Sequence, residues 1–456
     1  MSRLFGTDGL RGRANATLSP ELAVRVGLAA GRVLNGGRAG TVVLGRDTRQ
    51  SGPMLEAAVA AGLSSAGWRV RLAGIMPSPG VACLTTLLGA DAGCVISASH
   101  NPAPDNGIKF FSAAGAKLTP DIEDRIEALL SEDAAAAYTP RPAPGPMRRL
   151  SDSARRYAGF LRGTLEGRDL RGVRLVVDCA NGAASRVAPH LFRSLGAEVV
   201  ALACGLDGRS INDGCGATHP RPLAQAVVRE RADAGVAFDG DADRAIFVDE
   251  RGVIRNGDHV MYLIATRRLA AGRLPGATVV GTVMTNLGTE RALAAAGIRL
   301  ERAKVGDREV YARMGEVGAV LGGEQSGHII FRDLLNTGDG LLTALLVLDA
   351  VRGAGRPLSE LCAPVTMFPQ VLINIPLHAG LDWRDGTPLG QALGVAQVMV
   401  RPDGRAVIRP SGTEPILRVM LESPEASVLA AAADRIEAVV PLPGVRRHFL
   451  STTNEG

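Results

Sequence analysis

The chain has 456 residues, which is too many for a single hydrophobic core. Its hydrophobic content of 46% and charged content of 21% exclude wholesale disorder, and its most apolar long stretch, 341–351, is too short to cross a bilayer. The first residues lack the apolar core of a signal peptide, so we expect a cytoplasmic protein without a membrane partner. The net charge of +5 is spread along the chain and aromatic residues make up only 4%, so we predict no nucleic-acid partner.

Two residue types narrow the chemistry further. The six cysteines include no Cys-x-x-Cys pair, so neither a zinc site nor a disulfide framework is predicted. Only three of the 51 basic residues are lysines, at positions 109, 117 and 304. Lysine carries a compact point charge that arginine does not reproduce, so these positions are candidates for a specific role, with chance retention as the alternative.

Three successive segments share one order of predicted elements. In each, an apolar strand precedes a helix pattern that ends at a glycine, and then come a second strand, a third strand and a polar turn. The segments begin near residues 41, 173 and 278. Strand–helix–strand order favours parallel sheets covered by helices. The predicted fold class is therefore α/β, with three similar α/β/α domains whose sheets are mixed and mainly parallel.

The pattern changes near residue 369, where several strands and one late helix predict a smaller α+β domain at the C-terminus. The predicted domains accordingly span the residue ranges 1–150, 151–253, 254–368 and 369–456. Polar turns carried by separate domains can converge on one ligand site, so we expect the four domains to surround a central cleft.

The first polar turn contains Ser99, next to His100, between the apolar pairs 95–96 and 110–111. Asn-Pro and Asp-Asn-Gly form turns, which places Ser99 at the carboxyl end of a buried strand, where open α/β sheets bind ligands. For a Ser-His pair taken alone, a turn serine that bonds its own backbone is the favoured explanation. The meaning of Ser99 therefore depends on the other turns.

The second polar turn carries three alternating aspartates, Asp239, Asp241 and Asp243, between two apolar strands. Two carboxylates about 5 Å apart repel by roughly 3 kcal/mol at an effective dielectric near 20, so three together require a proton or a cation. Hard oxygen ligands in one turn suit Mg²⁺, which we predict here in preference to a solvated Asp/Gly turn.

Two further loops offer groups suited to a phosphosugar. The third polar turn, 322–328, supplies Glu, Gln, Ser and His side chains that can hydrogen-bond hydroxyl or amine groups. The loop 409–415 combines a guanidinium, two hydroxyls and free backbone amides, with Arg418 close behind, and such a set can hold a phosphate. Taken singly, each is explained as well by an ordinary structural turn.

These four motifs in this order resemble the α-D-phosphohexomutase superfamily over nearly the whole chain. The start of the chain at 5–12, the segment 211–220 and glutamine at position 325 are similar to the branch that acts on glucosamine phosphates. Ala103-Pro104 and Arg221 depart from the usual pattern of the family, where bulkier residues and an acidic residue are common. Neither departure touches a predicted catalytic group.

The resemblance assigns roles to particular residues. It makes Ser99 a phosphoserine, and it implies that one Mg²⁺ is held by Ser99, Asp239, Asp241 and Asp243. The reaction centre would be lined by Arg11, Lys109, Arg244 and His328. Sugar and substrate contacts would come from Lys304, Glu324 and Ser326, and the phosphate that is not transferred would bind Arg409, Ser411, Gly412, Thr413 and Arg418. In chain order the domains would thus carry the phosphoserine, the metal, the sugar-recognition loop and the phosphate loop.

The implied reaction is the interconversion of glucosamine 6-phosphate and glucosamine 1-phosphate through a 1,6-bisphosphate, with a hexose 1,6-bisphosphate as activating primer and a homodimer as an allowed assembly. A desolvated lysine among cations has a lowered pKa, which makes Lys109 the candidate general acid/base, with His328 as the alternative. A phosphomannomutase/phosphoglucomutase and a phosphatase with a serine nucleophile are the alternative activities.

Overall fold

The computed structural model describes residues 4–6, 8–130, 143–377, 381–411, 415–440 and 446–450. The chain divides into two compact units. Unit 1 comprises Met1–Met284 and Gly297–Ala363, and unit 2 comprises Thr285–Ala296 and Pro364–Gly456. Among the described residues, the helices are too short or too polar to traverse a lipid bilayer.

Twenty strands form four sheets in the described part of the chain. The strands are β1 (Phe5–Gly6), β2 (Gly9–Arg13), β3 (Thr41–Arg46), β4 (Arg69–Ile75), β5 (Ala92–Ile96), β6 (Asp105–Ser112), β7 (Met147–Arg149), β8 (Arg174–Asp178), β9 (Glu198–Leu202), β10 (Ala234–Phe238), β11 (Ala245–Asp249), β12 (Ile254–Arg255), β13 (Thr278–Thr282), β14 (Arg299–Ala303), β15 (Leu321–Gly323), β16 (Ile329–Phe331), β17 (Gln370–Pro376), β18 (Arg405–Pro410), β19 (Ile416–Glu422) and β20 (Arg446–Leu450).

Fourteen α-helices are present in the same described residues, and many begin at a capping side chain or a proline. They are α1 (Pro20–Val33), α2 (Gly52–Ser65), α3 (Ser78–Leu87), α4 (Pro120–Ala128), α5 (Ser153–Gly163), α6 (Ala188–Ser194), α7 (Arg221–Glu230), α8 (Gly257–Ala270), α9 (Leu287–Ala295), α10 (Asp307–Val317), α11 (Gly340–Ala354), α12 (Leu358–Cys362), α13 (Pro388–Val400) and α14 (Ala426–Glu437).

The three sheets of unit 1 repeat one arrangement of four strands, and these sheets define the first, second and third α/β domains. The strand orders are β4-β3-β5-β6, β9-β8-β10-β11 and β14-β13-β15-β16. In each sheet the first three strands are parallel, and the last strand runs antiparallel to its neighbour. The prediction of three similar, mainly parallel α/β domains is confirmed.

The turn between the last two strands of each arrangement is the polar turn that the sequence singles out. These turns span 97–104, 239–244 and 324–328. Their strands are buried along nearly their whole length, so each turn begins where an apolar strand leaves the core. Each polar motif therefore lies at the carboxyl end of a parallel strand.

The first sheet is extended on both sides. Strand β2 pairs antiparallel with β6, which sets Arg11 opposite Gly107, and β7 pairs in parallel with β4. Helices α1 and α2 cover one face and pack closely, since a Cβ at Gly62 would lie only 2.2 Å from the backbone oxygen of Val24. This extension brings Arg11 and Ala14 beside the serine turn.

Unit 2 contains a four-stranded antiparallel sheet in the order β18-β19-β17-β20, as expected for an α+β tail. Helices α13 and α14 bury their apolar faces in its core, where Val371, Leu393 and Leu429 are buried. Helix α9 belongs to the same unit, and its capping residue Asn286 donates from Nδ2 to the backbone oxygen of Phe368 at 2.9 Å.

Candidate active site

Ser99 lies at the centre of the site and is 2% exposed. Its backbone adopts a left-handed conformation with φ of 50°, which residues other than glycine rarely adopt. Its Oγ donates to Asp239 Oδ2 at 2.5 Å and lies 3.3 Å from His100 Nδ1, while its N–H donates to Ser97 Oγ at 3.0 Å. The structure therefore joins the predicted serine to the aspartate turn of the second domain.

The aspartate turn packs directly against the serine turn. A Cβ at Gly240 would lie 2.5 Å from the backbone oxygen of Ser99, so only glycine permits this approach. On its other side the turn receives Ser78, at the start of α3, whose N–H donates to the Asp241 carbonyl at 2.9 Å. Ser78 Oγ donates to Asp241 Oδ2 at 2.5 Å. The first domain thus holds the metal-binding candidates on two sides.

The three aspartates are buried and close enough to share one cation. One carboxylate oxygen from each of Asp239, Asp241 and Asp243 lies within 4.8 Å of the other two. In the described part of the chain, Oδ1 of Asp241 and Oδ1 of Asp243 are buried and have no hydrogen-bond partner. Burial, with the charges of Asp243 and Asp241, raises the pKa of Asp239 well above its usual range. Two unsatisfied carboxylate oxygens and three crowded negative charges fit a hard divalent cation such as Mg²⁺.

Lys109 projects from β6 among carboxylates. Its Nζ lies 3.1 Å from Asp8 Oδ1, 3.5 Å from Asp241 Oδ2 and 3.7 Å from Asp243 Oδ2. Burial by itself lowers the pKa of Lys109, but Asp8, Asp241 and Asp243 outweigh it and raise the pKa above its ordinary value. The expectation of a lowered pKa is therefore wrong. That expectation took account of the cations of the reaction centre and left out the acidic groups that surround the Lys109 amine.

Six side chains from all three α/β domains form a closed ring in which negative and basic groups alternate. In order around the ring they are Asp8, Lys109, Asp243, His328, Asp307 and Lys117. Lys117 Nζ lies 2.5 Å from Asp8 Oδ1 and also contacts Asp307. The His328 ring lies 3.6 Å from Asp243 and 3.4 Å from Asp307. The ring balances the charge of the metal-binding candidates and connects the domains.

The neighbours of His328 decide which ring nitrogen carries the proton when its imidazole is neutral. The Gly338 N–H donates to Nε2 at 3.2 Å, which requires a lone pair there and leaves the proton of a neutral ring on Nδ1, on the side of Asp243. Burial lowers the pKa of His328, but the carboxylates of Asp243 and Asp307 outweigh it and raise the pKa above its ordinary value. His328 is therefore suited to hold a proton beside the aspartate turn.

Two arginines and one histidine complete the surroundings of Ser99. Arg11 contacts Asp8 through Nη2 and donates to Asn101 Oδ1 at 3.4 Å, while Nε of Arg11 and Nε of Arg244 are buried without a hydrogen-bond partner among the described residues. Burial, together with the charges of Arg244 and Arg11, lowers the pKa of His100 to about 4. Neutral His100 and two guanidinium groups with free donors suit a phosphoryl group at this position.

The third polar turn lies beside these groups. Oε1 of Glu324 accepts from the Gly306 N–H at 2.9 Å, which ties the turn to the loop that follows β14. Oγ of Ser326 is buried and has no hydrogen-bond partner within the described ranges, so it is available to a ligand. Lys304 lies on the same loop as Gly306 but is exposed and outside the ion network.

In unit 2, Arg409 and Arg418 lie directly opposite each other on β18 and β19. Burial and the charge of Arg418 lower the pKa of Arg409, as expected for two guanidinium groups held together. Like charges on paired strands are unfavourable, so the pair suits an anion. Ser411 lies two residues after Arg409, whereas Gly412 and Thr413 lie outside the described residues.

Sequence reasoning missed four groups of the site. Asp8 falls within the start motif, and Asp307 within the loop after Lys304, yet neither received a role. Lys117 was singled out only as a rare lysine. A carboxylate next to a family motif was the available signal in the first two cases, whereas Ser78 had none.

Models of known protein domains match this chain in the order of its predicted domains. Residues 2–137, 157–252 and 256–368 match the models of phosphoglucomutase/phosphomannomutase alpha/beta/alpha domains I, II and III. Residues 392–439 match the model of the C-terminal domain of that family.

Individual relatives are similar over nearly the whole chain. The phosphoglucosamine mutase of Burkholderia multivorans is 49% identical over 447 residues, covering 96% of this chain and 98% of the relative. That of Moorella thermoacetica is 50% identical over 429 residues, covering 93% and 96%. The crystal structure of a phosphoglucomutase/phosphomannomutase family protein from Burkholderia thailandensis matches with a TM-score of 0.81 at 27% identity, covering 96% of this chain and 97% of that chain.

Proposed function

This chain belongs to the phosphoglucosamine mutases of the phosphoglucomutase/phosphomannomutase family, and from that premise we propose how it interconverts glucosamine 6-phosphate and glucosamine 1-phosphate. It is an isomerase, because the net reaction changes which position of the sugar carries the phosphoryl group. The product would supply amino-sugar nucleotides and cell-wall precursors. The observation that carries the mechanism is the 2.5 Å hydrogen bond from Ser99 Oγ to Asp239, in the buried cluster of three aspartates.

We propose that Ser99 is the phosphoryl carrier. In the first step the Oγ–phosphorus bond of phosphoserine 99 breaks and a bond forms from phosphorus to a free hydroxyl oxygen of the sugar phosphate. The hydroxyl loses its proton and Ser99 Oγ gains one, so the step gives the 1,6-bisphosphate and an unmodified serine. After the bisphosphate reorients in the site, its other phosphoryl group is transferred to Ser99 Oγ and the isomeric monophosphate leaves. A hexose 1,6-bisphosphate would prime unphosphorylated enzyme by the same transfer.

Asp239, Asp241, Asp243 and an oxygen of phosphoserine 99 would hold one Mg²⁺. When bound, the cation would neutralise negative charge on the transferred phosphoryl group. The free Nε groups of Arg11 and Arg244 would donate to the same phosphoryl oxygens, and the ammonium of Lys109 would add a third positive charge.

The proton of the attacking hydroxyl would pass to His328 or, if the Lys109 ammonium first loses a proton, to the Lys109 amine. Both groups lie near Oδ2 of Asp243, at 3.6 and 3.7 Å. The two assignments are separated by comparing Lys109→Met with His328→Gln in single-turnover phosphoryl transfer from phosphoserine 99. The variant that lacks the acid/base should lose the pH dependence of the transfer rate. The other variant should keep that pH dependence, even where its transfer rate is lower.

Substrate recognition is assigned to the third turn and to unit 2. Glu324 and Ser326 would bind sugar hydroxyl or amine groups, with Lys304 assisting from the neighbouring loop. Arg409, Ser411, Gly412, Thr413 and Arg418 would bind the phosphate that is not transferred. Changing Arg409 to Gln should raise KM for both substrates by tenfold or more, and unchanged KM values would contradict this assignment.

The proposed function is tested with glucosamine 6-phosphate and Mg²⁺, with and without a hexose 1,6-bisphosphate, for wild type and Ser99→Ala. Wild type should form glucosamine 1-phosphate, and the alanine variant should lose that activity. Undiminished turnover by the alanine variant would reject the phosphoserine mechanism.

The same assay separates the alternative activities. Release of free phosphate in step with substrate loss would indicate a phosphatase, and faster turnover of glucose or mannose phosphates would indicate a phosphomannomutase/phosphoglucomutase. We also propose that the enzyme acts in the cytoplasm. Its assembly, with a homodimer as the proposed state, is measured by sedimentation.

A further inference from the structure

The serine turn holds its reactive residue in a strained backbone conformation. Ser99 has φ of 50°, and such a conformation persists only where the surrounding structure enforces it. The direction of Oγ toward Asp239 depends on this backbone, because a left-handed residue projects its side chain differently from its neighbours. The groups that bond to the peptide units around Ser99 therefore decide where the nucleophile points.

Arg49 is the first of these groups. Its side chain is fully buried and all five of its N–H donors are used. Nε donates to Asp47 Oδ2 at 2.9 Å, and Nη1 donates to the backbone oxygens of Pro102 and Asp105. Nη2 donates to the backbone oxygens of Ser99, at 2.9 Å, and of Asn101, at 2.7 Å. A single guanidinium group thus bonds three carbonyls of the serine turn and the first carbonyl of β6.

Asp47 extends this contact to the other side of Ser99. It accepts from Ser97 Oγ at 2.6 Å, and Ser97 Oγ in turn accepts from the Ser99 N–H at 3.0 Å. The buried pair of Arg49 and Asp47 therefore fixes both the carbonyl and the amide of the residue that carries the nucleophile. No atom of this pair needs to touch a substrate to have that effect.

Asn212 reaches the same two carbonyls from the second domain. Its Nδ2 donates to the backbone oxygen of Ser99 at 2.9 Å and to that of Asn101 at 3.0 Å. Each of these oxygens consequently accepts two bonds, one from Arg49 and one from Asn212. The N–H of Asn212 donates to the carbonyl of Ala180 at 2.9 Å, so the side chain is presented by bonded backbone of the second domain.

Asn212 also borders the aspartate turn. A Cβ placed at Gly240 would lie 3.0 Å from Asn212 Nδ2 and 2.9 Å from the Ile211 side chain. The segment 211–220, which the sequence singled out without a role, thus contacts both the nucleophile turn and the turn of the metal-binding candidates. It sets the position of one relative to the other.

We infer that Arg49 and Asn212 are positioning residues for phosphoryl transfer, which act through the backbone carbonyls of Ser99 and Asn101 to aim Ser99 Oγ at the aspartate cluster. The inference rests on the proposed function. Displacement of a reacting group by about 1 Å can cost about 100-fold in rate, because in-line transfer requires aligned atoms. Loss of the Asn212 bonds should therefore slow the chemical step and leave substrate binding intact.

The test compares Asn212→Ala with Asn336→Ala in the full-length enzyme. Asn336 is a matched control, since its Nδ2 also donates across domains to a backbone oxygen, that of Ala114 at 2.9 Å, away from the serine turn. Asn212→Ala should lower kcat 10- to 100-fold with KM for glucosamine 6-phosphate within threefold of wild type. It should also slow phosphorylation of Ser99 by glucose 1,6-bisphosphate, followed by intact-protein mass. The control should keep kcat within twofold.

A second variant changes Arg49, the other donor to the carbonyls of Ser99 and Asn101. Arg49→Lys retains a charge for Asp47 but not the fork that bonds four carbonyls, so it should also lower kcat. The double variant should lose less than the product of the two single losses, because both side chains act on the same two oxygens. Wild-type kcat in Asn212→Ala, or equal losses in Asn212→Ala and Asn336→Ala, would overturn the inference. Either result would leave the proposed function standing, since that function fails only if Ser99→Ala retains mutase activity.

Discussion

Replacement of Asp8 by asparagine tests the charge ring most directly. The side chain keeps its shape, but one acceptor oxygen becomes an NH2 donor. It also loses the negative charge that faces Lys109 at 3.1 Å, Lys117 at 2.5 Å and the Arg11 guanidinium. Three cations would then share a region with one fewer carboxylate. We expect lower stability of the first domain and lower mutase activity.

The magnitude follows from the burial of the group. A pair of unit charges 4 Å apart is worth about 4 kcal/mol at an effective dielectric of 20, and asparagine recovers part of this because the carboxylate no longer has to be desolvated. Removing one partner from a buried ion pair costs about 3–5 kcal/mol. Because 23% of the Asp8 side chain is exposed, we expect a loss at the lower end of this range, about 3 kcal/mol of unfolding free energy.

The assay is urea unfolding followed by tryptophan fluorescence. The chain has two tryptophans, and Trp68 is buried in the first domain, so a Trp383→Phe background makes the signal report on that domain. Asp213→Asn, at an exposed position, is the matched control and should change the free energy by less than about 0.5 kcal/mol.

A second substitution checks the reason for the loss. Lys117→Met in the Asp8→Asn background should cost less than Lys117→Met alone, because it removes one of the cations left unbalanced. The ring interpretation would be refuted by an Asp8→Asn variant as stable as the control, or by equal costs of Lys117→Met in the two backgrounds.

Three further outcomes are expected. Gly240→Ala should lower kcat at least tenfold, because the new Cβ would meet the backbone oxygen of Ser99 at 2.5 Å, and steady-state kinetics with unchanged kcat would contradict this close approach. Asp243→Asn should weaken Mg²⁺ binding measured by calorimetry, and equal affinity would exclude Asp243 as a ligand. Burial and Arg255 lower the pKa of His259 to about 3, so the unfolded state binds more protons between about pH 6.5 and 3, and stability falls as the pH falls through that window. At pH 5 the loss relative to pH 8 is about 2 kcal/mol, and His259→Gln should remove that part of the pH dependence of urea unfolding.

The Lys109 result illustrates the limit of sequence reasoning about charge. The predicted site places Lys109 near a metal and several arginines, and from this we expected a lowered pKa for Lys109. The acidic groups that reverse the direction are Asp8, in the turn between β1 and β2, and Asp241 and Asp243, on another domain. A pKa depends on distances of a few ångströms, and those distances are not a property of the linear chain.

Local patterns were sufficient for the domain class, the three equivalent turns and the four motifs, because strand periodicity, turn formers and motif spacing act over a few residues. Tertiary structure alone decided the ring from Asp8 to Lys117, the bond from Ser99 to Asp239 and the shared carbonyls beneath Arg49 and Asn212. The partners in these contacts are separated by many residues in the chain. Their pairing depends on how three sheets pack, and no local pattern specifies that packing.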